Sequence, residues 1–381
     1  MTLQITNQMT DTLSNIAKAT QSAQSAFIER DDTINMIATC TVAGKHGLLL
    51  GKPGTTKSAL ISGLSETTGL QFRKVLMNPD ITRDEILGSI DPTAFANGKW
   101  DRVWASLAVA DLAFVDEVGK ATGANLNILL NLMEEREVII GGIAQPVPLL
   151  SLFGASNEIF SGTSPAVWDR FLCRVHVKSV TNDNFQAMLT ADIDDLGNFP
   201  VDRDSLVNLA KLSKQMARNS SKDVLDTMLS LRINLPSITT AYVSDRRWRQ
   251  ILELAGGNAL LSGRDSIEPA DLMVAKWCVW DVPKNGDIAS EIANIGNFIG
   301  ALTDTAKQEL ASYTKKVDDL FDESKRLLPD GTQLTSMTDD IVRLNMKIDA
   351  TVKDITGRKG QSWGELRSRL QAAKNRVIEA L

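Results

Sequence analysis

Hydrophobic positions along the chain follow two rhythms, and the change comes at Pro283. Before it, short apolar runs alternate with stretches of helical spacing. HGLLLG (46–51), FRKVLM (72–77), DLAFVDE (111–117) and LLSLFGASN (149–157) read as strands. KSALISGLSE and NLNILLNLMEE carry apolar residues at steps of three and four between them. The alternation predicts an α/β fold with a mostly parallel sheet covered on both faces. Residues 1–45 read as mostly helical. Two stretches break the rhythm as expected hairpins: 89–104, with a turn at Asn97-Gly98, and 136–150, with a turn at Gly141-Gly142. From 181 to 283 the pattern is largely helical, with no further parallel strand.

Beyond Pro283, apolar residues from Ile288 to Leu320 recur at steps of three or four. This predicts a helix of about 60 Å, stopped at Leu328-Pro329-Asp330-Gly331. Stripes from Met337 to Ile355 and from Trp363 to Leu381 predict two shorter helices, broken at Gly357-Arg358-Lys359-Gly360. Together they match the long helix in length, so a long helix beside a broken return is expected. The expected divisions are an α/β part (1–180), a helical part (181–283) and a C-terminal helical hairpin or arm (284–381). A projecting spacer and a bundle packed on the core are both open for the arm.

Composition changes this picture little. The 381 residues are 43% hydrophobic and 23% charged, ordinary for a globular chain of two or three domains. A formal charge of −6 without a block of like charges argues against a nucleic-acid arm. Three separated cysteines (Cys40, Cys173, Cys278) and two histidines argue against a disulfide framework or zinc site, and for a reducing compartment. No leader pattern opens the chain, and no stretch approaches the ~18 apolar residues of a membrane span. A cytoplasmic protein without a membrane partner is expected.

The chemistry begins at Gly51-Lys52-Pro53-Gly54-Thr55-Thr56-Lys57-Ser58, between the first strand and a helix. The stretch differs from the phosphate loop G-x-x-x-x-G-K-[ST] at one place, Thr56, where glycine is usual. Backbone N–H groups of such a loop cradle anions, and Gly51 and Gly54 let the main chain approach phosphates. Lys57 would reach the β- and γ-phosphates, and the Ser58 hydroxyl would serve Mg²⁺. A β-branched residue at position 56 is excluded only if the backbone there needs positive φ.

Downstream, the apolar strand Leu112–Val115 ends in Asp116-Glu117, and ligands of such sheets lie at strand carboxyl ends. Asp116 suits Mg²⁺ and Glu117 suits activation of a water. A solvated acidic turn is the plainer alternative. LLSLFGASN ends in Asn157, which an adjacent strand would place beside the γ-phosphate. Arg170, in WDRFLCR, lies too far along to serve its own loop and would more naturally reach a neighbour's nucleotide.

These residues carry a resemblance. GKPGTTKS, LAFVDEVGKA, GASNE, WDRFLCRV and YVSDRRWRQIL (242–252) are similar, in order and spacing, to AAA+ ATPases of the MoxR type, closest to the branch called regulatory ATPase variant A. The likeness covers 25–283. In that branch the residue before the loop lysine is often not glycine. The resemblance implies a nucleotide-binding α/β subdomain, a helical lid, ATP and Mg²⁺ as ligands, and a hexameric ring with chaperone-like activity. Partners of the family are often proteins with a von Willebrand factor A domain. It implies nucleotide contacts from Gly51, Pro53, Gly54, Thr55, Thr56, Lys57 and Ser58, and Mg²⁺ held by Ser58 and Asp116. It makes Glu117 the base, Asn157 sensor 1, Arg170 the arginine finger and Arg246 sensor 2, with Arg247 as rival. The hairpin regions match two insertions of this clade. A small β-module of the closest branch has no counterpart after residue 285.

Other readings stand beside this one. Relatives with the same hairpins include nucleic-acid motors, but the mixed charges of 89–104 and 136–150 do not make a phosphate-tracking channel. A nucleotide-binding scaffold without turnover is the third. His46 and His176, beside strands, and Trp277 and Trp280 read as structural. Trp100 and Trp104 either grip a polypeptide or pack on the body.

Overall fold

A computed structural model describes residues 4–98, 102–140, 143–157, 165–193, 196–281, 286–329, 339–356, 358 and 361–379. The strands are β1 (Gly47–Leu50), β2 (Phe72–Leu76), β3 (Leu112–Asp116), β4 (Glu137–Ile140), β5 (Ile143–Pro146), β6 (Ser151–Ser156) and β7 (Cys173–His176). Five of them form one parallel sheet in the order β2-β3-β6-β1-β7. The chain is α/β, as its pattern predicts. β1 and β6 are buried along their whole length, and β3 up to its terminal Asp116, because helices cover both faces. Phe114 and Phe153 are fully enclosed, and burial of such a side chain contributes about 1.5–3 kcal/mol. β2, at one edge, exposes Arg73 and Lys74, charges that discourage further strand pairing.

β7 is a strand that the sequence pattern does not show. Arg174 interrupts its four residues, and a charge inside a buried strand reads as a loop. The structure accommodates it by stacking the guanidinium over Trp168 (4.5 Å) and Trp280 (5.4 Å).

β4 and β5 pair antiparallel, so the 136–150 hairpin forms; its Gly141-Gly142 turn lies outside the described residues. The expected hairpin at 89–104 does not. Asp91 caps a helix over Pro92–Ala96, its carboxylate accepting from the Thr93 (2.8 Å) and Ala94 (3.2 Å) N–H groups. Only the bridge Ile90↔Arg102 joins the two limbs among the described residues. An Asp-Pro helix start thus prevails over the Asn-Gly turn. Trp104 packs half-buried on the core, and Trp100 is outside the described residues.

The helices Arg203–Arg218, Lys222–Asn234 and Asp245–Leu261 start at Asp202, Ser221 and Ser244, whose side chains accept from first-turn N–H groups. The long helix Ile288–Leu327 follows. Its Ile288, Ile295 and Ile299 belong to the same buried cluster as Leu272 and Trp277, so packing is continuous across residue 284. A second core holds Val317 and Leu320 with Leu344, Ile348, Leu366 and Leu370. The shorter helices Asp339–Ile355 and Gln361–Glu379 both lie beside the distal half of the long helix. Lys316–Asp354 (3.6 Å) and Lys347–Glu323 (3.2 Å) mark one; Arg369–Asp318 (2.5 Å) and Tyr313 against Trp363 mark the other. The expected end-to-end return is therefore corrected to a three-helix bundle. Lys374, bonded to Asp349 at 2.5 Å, joins the two short helices to each other. Arg358 fastens this bundle to the lid through Asp223 (3.0 Å), and holds the long helix through Glu309 (2.7 Å).

A chain ending at Pro283 strips Ile288, Ile295 and Ile299 from the lid core, each worth about 1.5–3 kcal/mol when buried. It is expected to melt far below the full chain by calorimetry. A chain ending at Ala306 keeps these side chains, and its main transition is expected within a few degrees of the parent.

Candidate active site

β3, β6 and β1 are neighbours in parallel register, with Leu50 opposite Ser156 and Val115 opposite Gly154. Their carboxyl ends therefore fall at one level, and the residues that follow them meet there. Gly51 continues β1, its N–H donating to the Ser156 carbonyl at 3.1 Å. Gly54 (φ +78°) turns the loop, and the helix Lys57–Thr68 begins with Lys57 and Ser58. Pro53, Gly54 and Thr56 are exposed while Thr55 is buried, its hydroxyl bonded to the Lys52 carbonyl at 2.8 Å.

Thr56 stands at φ 60°, ψ 15°. The position does require the left-handed conformation, and a β-branched side chain occupies it where glycine is unstrained. Its hydroxyl bonds the Thr55 carbonyl at 2.6 Å.

Lys57 is buried in the loop, donating to the carbonyls of Gly51 (2.7 Å) and Lys52 (2.9 Å) and to Asn157 Oδ1 (3.0 Å). Burial lowers its pKa, opposed by the charges of Asp116 and Glu117. The Asn157 amide in turn donates to Glu117 Oε1. Glu117 is itself left-handed (φ 52°), and its N–H donates to Asp116 Oδ1 at 3.1 Å. Asp116 also pairs with Lys74 at 3.1 Å. Lys57, Asn157, Glu117 and Asp116 thus form one network. The Ser58 hydroxyl and Asp116 carboxylate are hard oxygen donors of the kind Mg²⁺ takes.

Beside the loop opens a cavity of ≈ 410 Å³ lined by Gly54–Thr56, Ile28, Val180, Phe185, Met188 and Ile193. Phe185, Met188 and Ile193 are exposed there, an apolar surface fit for a planar base. Two walls of it are latched together by Glu29, which accepts from the Thr181 N–H (3.0 Å) and Asn184 (2.8 Å). Hydrogen bonds from Thr181 and Asn184 hold the Glu29 carboxyl below its usual pKa. These residues come from distant segments, and no local pattern announces them.

Arg170 and Arg246 are elsewhere. Both bind Glu134: Arg170 through Nε (3.1 Å) and Nη2 (2.7 Å) on Oε2, Arg246 through Nη1 (2.7 Å) on Oε1. Burial raises the Glu134 pKa, but the two arginines outweigh it and bring the carboxyl below the usual range. The adjacent Met133 carbonyl bonds His46 Nε2 (2.9 Å), and Arg136 bonds the Gly44 carbonyl (2.8 Å). Residues 44–46 precede β1, whereas the phosphate loop follows it. The four-residue strand, about 13 Å long, separates the arginines from the loop of their own chain. Arg247, the rival to Arg246, points inward at 2% side-chain exposure and bonds the Trp168 carbonyl (2.9 Å) and Asp169 (3.3 Å). His46 is structural: its Nδ1 accepts from the Leu152 N–H at 2.9 Å, and burial drives its pKa well down. Trp280 is fully buried, in edge contact with Trp168.

Residues 14–215, more than half of the chain, match the family described as the MoxR domain in the MoxR-vWA-beta-propeller ternary systems. The chain belongs to the MoxR family of AAA+ ATPases. Residues 223–293 of this MoxR protein match an AAA lid domain. An uncharacterized protein of Methanocaldococcus jannaschii is 26% identical over 90% of the chain and 91% of its own length. Chaperone MoxR1 of Mycobacterium tuberculosis is 26% identical over 40% of the chain and 41% of its own. A crystal structure of a candidate ATPase from Cytophaga hutchinsonii superposes with a TM-score of 0.61 at 16% identity, covering 76% of this chain and 95% of that one. Among the described residues no helix is long and apolar enough to cross a membrane.

Replacing Thr56 by glycine removes a left-handed penalty of about 1–2 kcal/mol and adds an unfolded-state entropy cost of roughly 0.5–1 kcal/mol. Thr56→Gly is expected to stabilise the protein by up to about 1.5 kcal/mol in denaturant unfolding.

Proposed function

We propose that this MoxR protein is a Mg²⁺-dependent ATP hydrolase, active as a ring, most simply a hexamer, that remodels a protein partner. The observation that carries the reading is the single network of Lys57, Asn157, Glu117 and Asp116 at the carboxyl edge of the sheet. Lys57 neutralises phosphate charge, exchanging its bonds to the loop carbonyls for phosphate oxygens. Backbone N–H groups at the start of the helix Lys57–Thr68 supply further donors. The base stacks in the apolar cavity. Glu117 takes a proton from the attacking water, and Asn157, bonded to both Glu117 and Lys57, fixes its direction. Ser58 and Asp116 would hold Mg²⁺, which when bound spreads the charge of the phosphates.

The placement of the arginines supports assembly. Arg170 and Arg246 lie beyond reach of their own loop and face outward, which suits a role on the nucleotide of an adjacent subunit. A von Willebrand factor A domain protein is the proposed partner, supported by the description of the matched family. A polypeptide suits the insertions better than nucleic acid does. β4 and β5 carry no basic residue, and Ile139, Phe95 and Val103 are exposed on these regions.

Lys57→Ala is expected to abolish ATP binding in calorimetric titration, and Glu117→Gln to bind ATP while turnover falls at least about a hundredfold. Parent-rate turnover by Glu117→Gln would remove Glu117 as the base. Arg170→Ala subunits are expected to bind ATP and fail alone, yet to recover phosphate release when mixed with Lys57→Ala subunits. Specific activity unchanged by dilution to a demonstrated monomer would count against action across an interface.

A further inference from the structure

Glu134 stands outside the phosphate-loop network, yet it gathers the two cations assigned to the neighbouring site. It ends the helix Gly123–Glu134, Arg170 ends Pro165–Arg170, and Arg246 is the second residue of Asp245–Leu261. Three elements therefore converge on one carboxylate. We propose that Glu134 is a positioning residue for the arginine pair: one oxygen holds Arg170, the other Arg246, and the two guanidiniums are fixed at the span of a single anionic group, facing a neighbour's γ-phosphate. The proposal rests on the reading of Arg170 as acting in an adjacent subunit.

Two guanidiniums side by side repel each other, and an anion between them is what keeps them together. Glu134 does not use them up. Arg170 commits Nε and Nη2, and Arg246 commits Nη1, so each retains N–H groups from its five for a second acceptor. The side chains of Glu134 and Arg170 are 32% and 24% exposed, and that of Arg246 is 37% exposed, so a phosphate can approach. Behind the pair, Arg247 and Ser244 tie the lid helix to Asp169 and Trp168 of the finger helix (3.3, 3.1 and 2.9 Å). The main chain is thus held from behind and the guanidiniums from in front. Donors fixed in advance need no reorganisation as charge develops on the phosphate.

The test uses the full chain and ATP, with Glu134→Gln, Glu134→Asp and Arg170→Ala alone and combined. Glu134→Gln turns an acceptor into an amide that repels one arginine. It is expected to leave the melting temperature, ATP affinity and assembly near the parent and to lower kcat roughly tenfold or more. Glu134→Asp keeps the charge and is expected to lose less. In the Arg170→Ala background Glu134→Gln should cost little further, since the pair is already broken. Turnover by Glu134→Gln at the parent rate would overturn the proposal, and turnover above it would mark Glu134 as a brake instead. An undiminished loss on top of Arg170→Ala would also overturn it. If Arg170→Ala itself turned over normally, the reading of a finger acting across the interface would fall first and this proposal with it. Should Glu134→Gln fail to fold, Glu134→Ala takes its place, and turnover by that variant at the parent kcat overturns the proposal.

Discussion

The parallel register of β3, β6 and β1 is the constraint on which the rest depends. A loop, a carboxylate pair and an asparagine reach one another because the three strands end at the same level. A slip of one residue in β3 would turn its side chains to the opposite face and take Glu117 away from Asn157. The buried runs fix that register, since the same slip would force Phe114 into the packing that now encloses Ala113 and Val115 on the opposite face. The polarity of the same strands then separates the arginines from the loop. β1 carries the phosphate cradle at one end and, through His46 and Met133, supports Glu134 and its arginines at the other. The same topology that gathers the loop, Glu117 and Asn157 at one end of the strands leaves Glu134 and its arginines at the other.

A second consequence is a connection between finger and lid. Arg174 is fully buried, and burial lowers its pKa to about 9. Removing a guanidinium from water is costly unless the protein replaces its solvation. Here two tryptophan faces and the Cys278 carbonyl (2.8 Å) do so in part. Arg247 leans on the same carbonyl (3.4 Å) and on that of Trp168. Trp168 belongs to the finger helix, while Cys278 and Trp280 close the lid. Pulling the two apart would strand buried guanidiniums, a penalty of about 3–5 kcal/mol on the scale of broken buried pairs. Any displacement of the lid core would therefore carry the helix Pro165–Arg170 with it.

Much of this was legible in the chain, and the failures share a cause. Phosphate loops, strand-end carboxylates and helical stripes are local patterns, so GKPGTTKS, VDE at 115–117 and the stripe of the long helix could be read directly. β7 was hidden because its Arg174 is tolerated only by tryptophans from elsewhere in the chain. The 89–104 region went astray where two local signals competed, and the Asp91 cap with Pro92 prevailed. The cavity beside the loop and the role of Glu134 have no local signature. Ile28 and Phe185, or Glu134 and Arg246, are joined only by the fold. The arm shows the same limit: periodicity gave three helices, but only their contacts place both short ones beside the distal half of the long one.

Two strained residues bear on whether the site turns nucleotide over or only holds it. Thr56 and Glu117 are both left-handed without being glycine, a conformation that costs on the order of 1 kcal/mol or more for each. Thr56 is explained by binding alone, since any phosphate loop of this shape must bend there. Glu117 is different. An extended residue would carry its carboxylate onward from β3, whereas φ 52° turns it back onto Asn157, and through Asn157 toward Lys57. A scaffold that merely retained nucleotide could do so with Lys57, the loop N–H groups and the apolar cavity, and would gain stability from a relaxed residue at 117. Strain kept at a carboxylate held against Asn157 and Lys57 is a physical reason to favour the proposed turnover over retention, because a base must be directed and a binding loop need not have one.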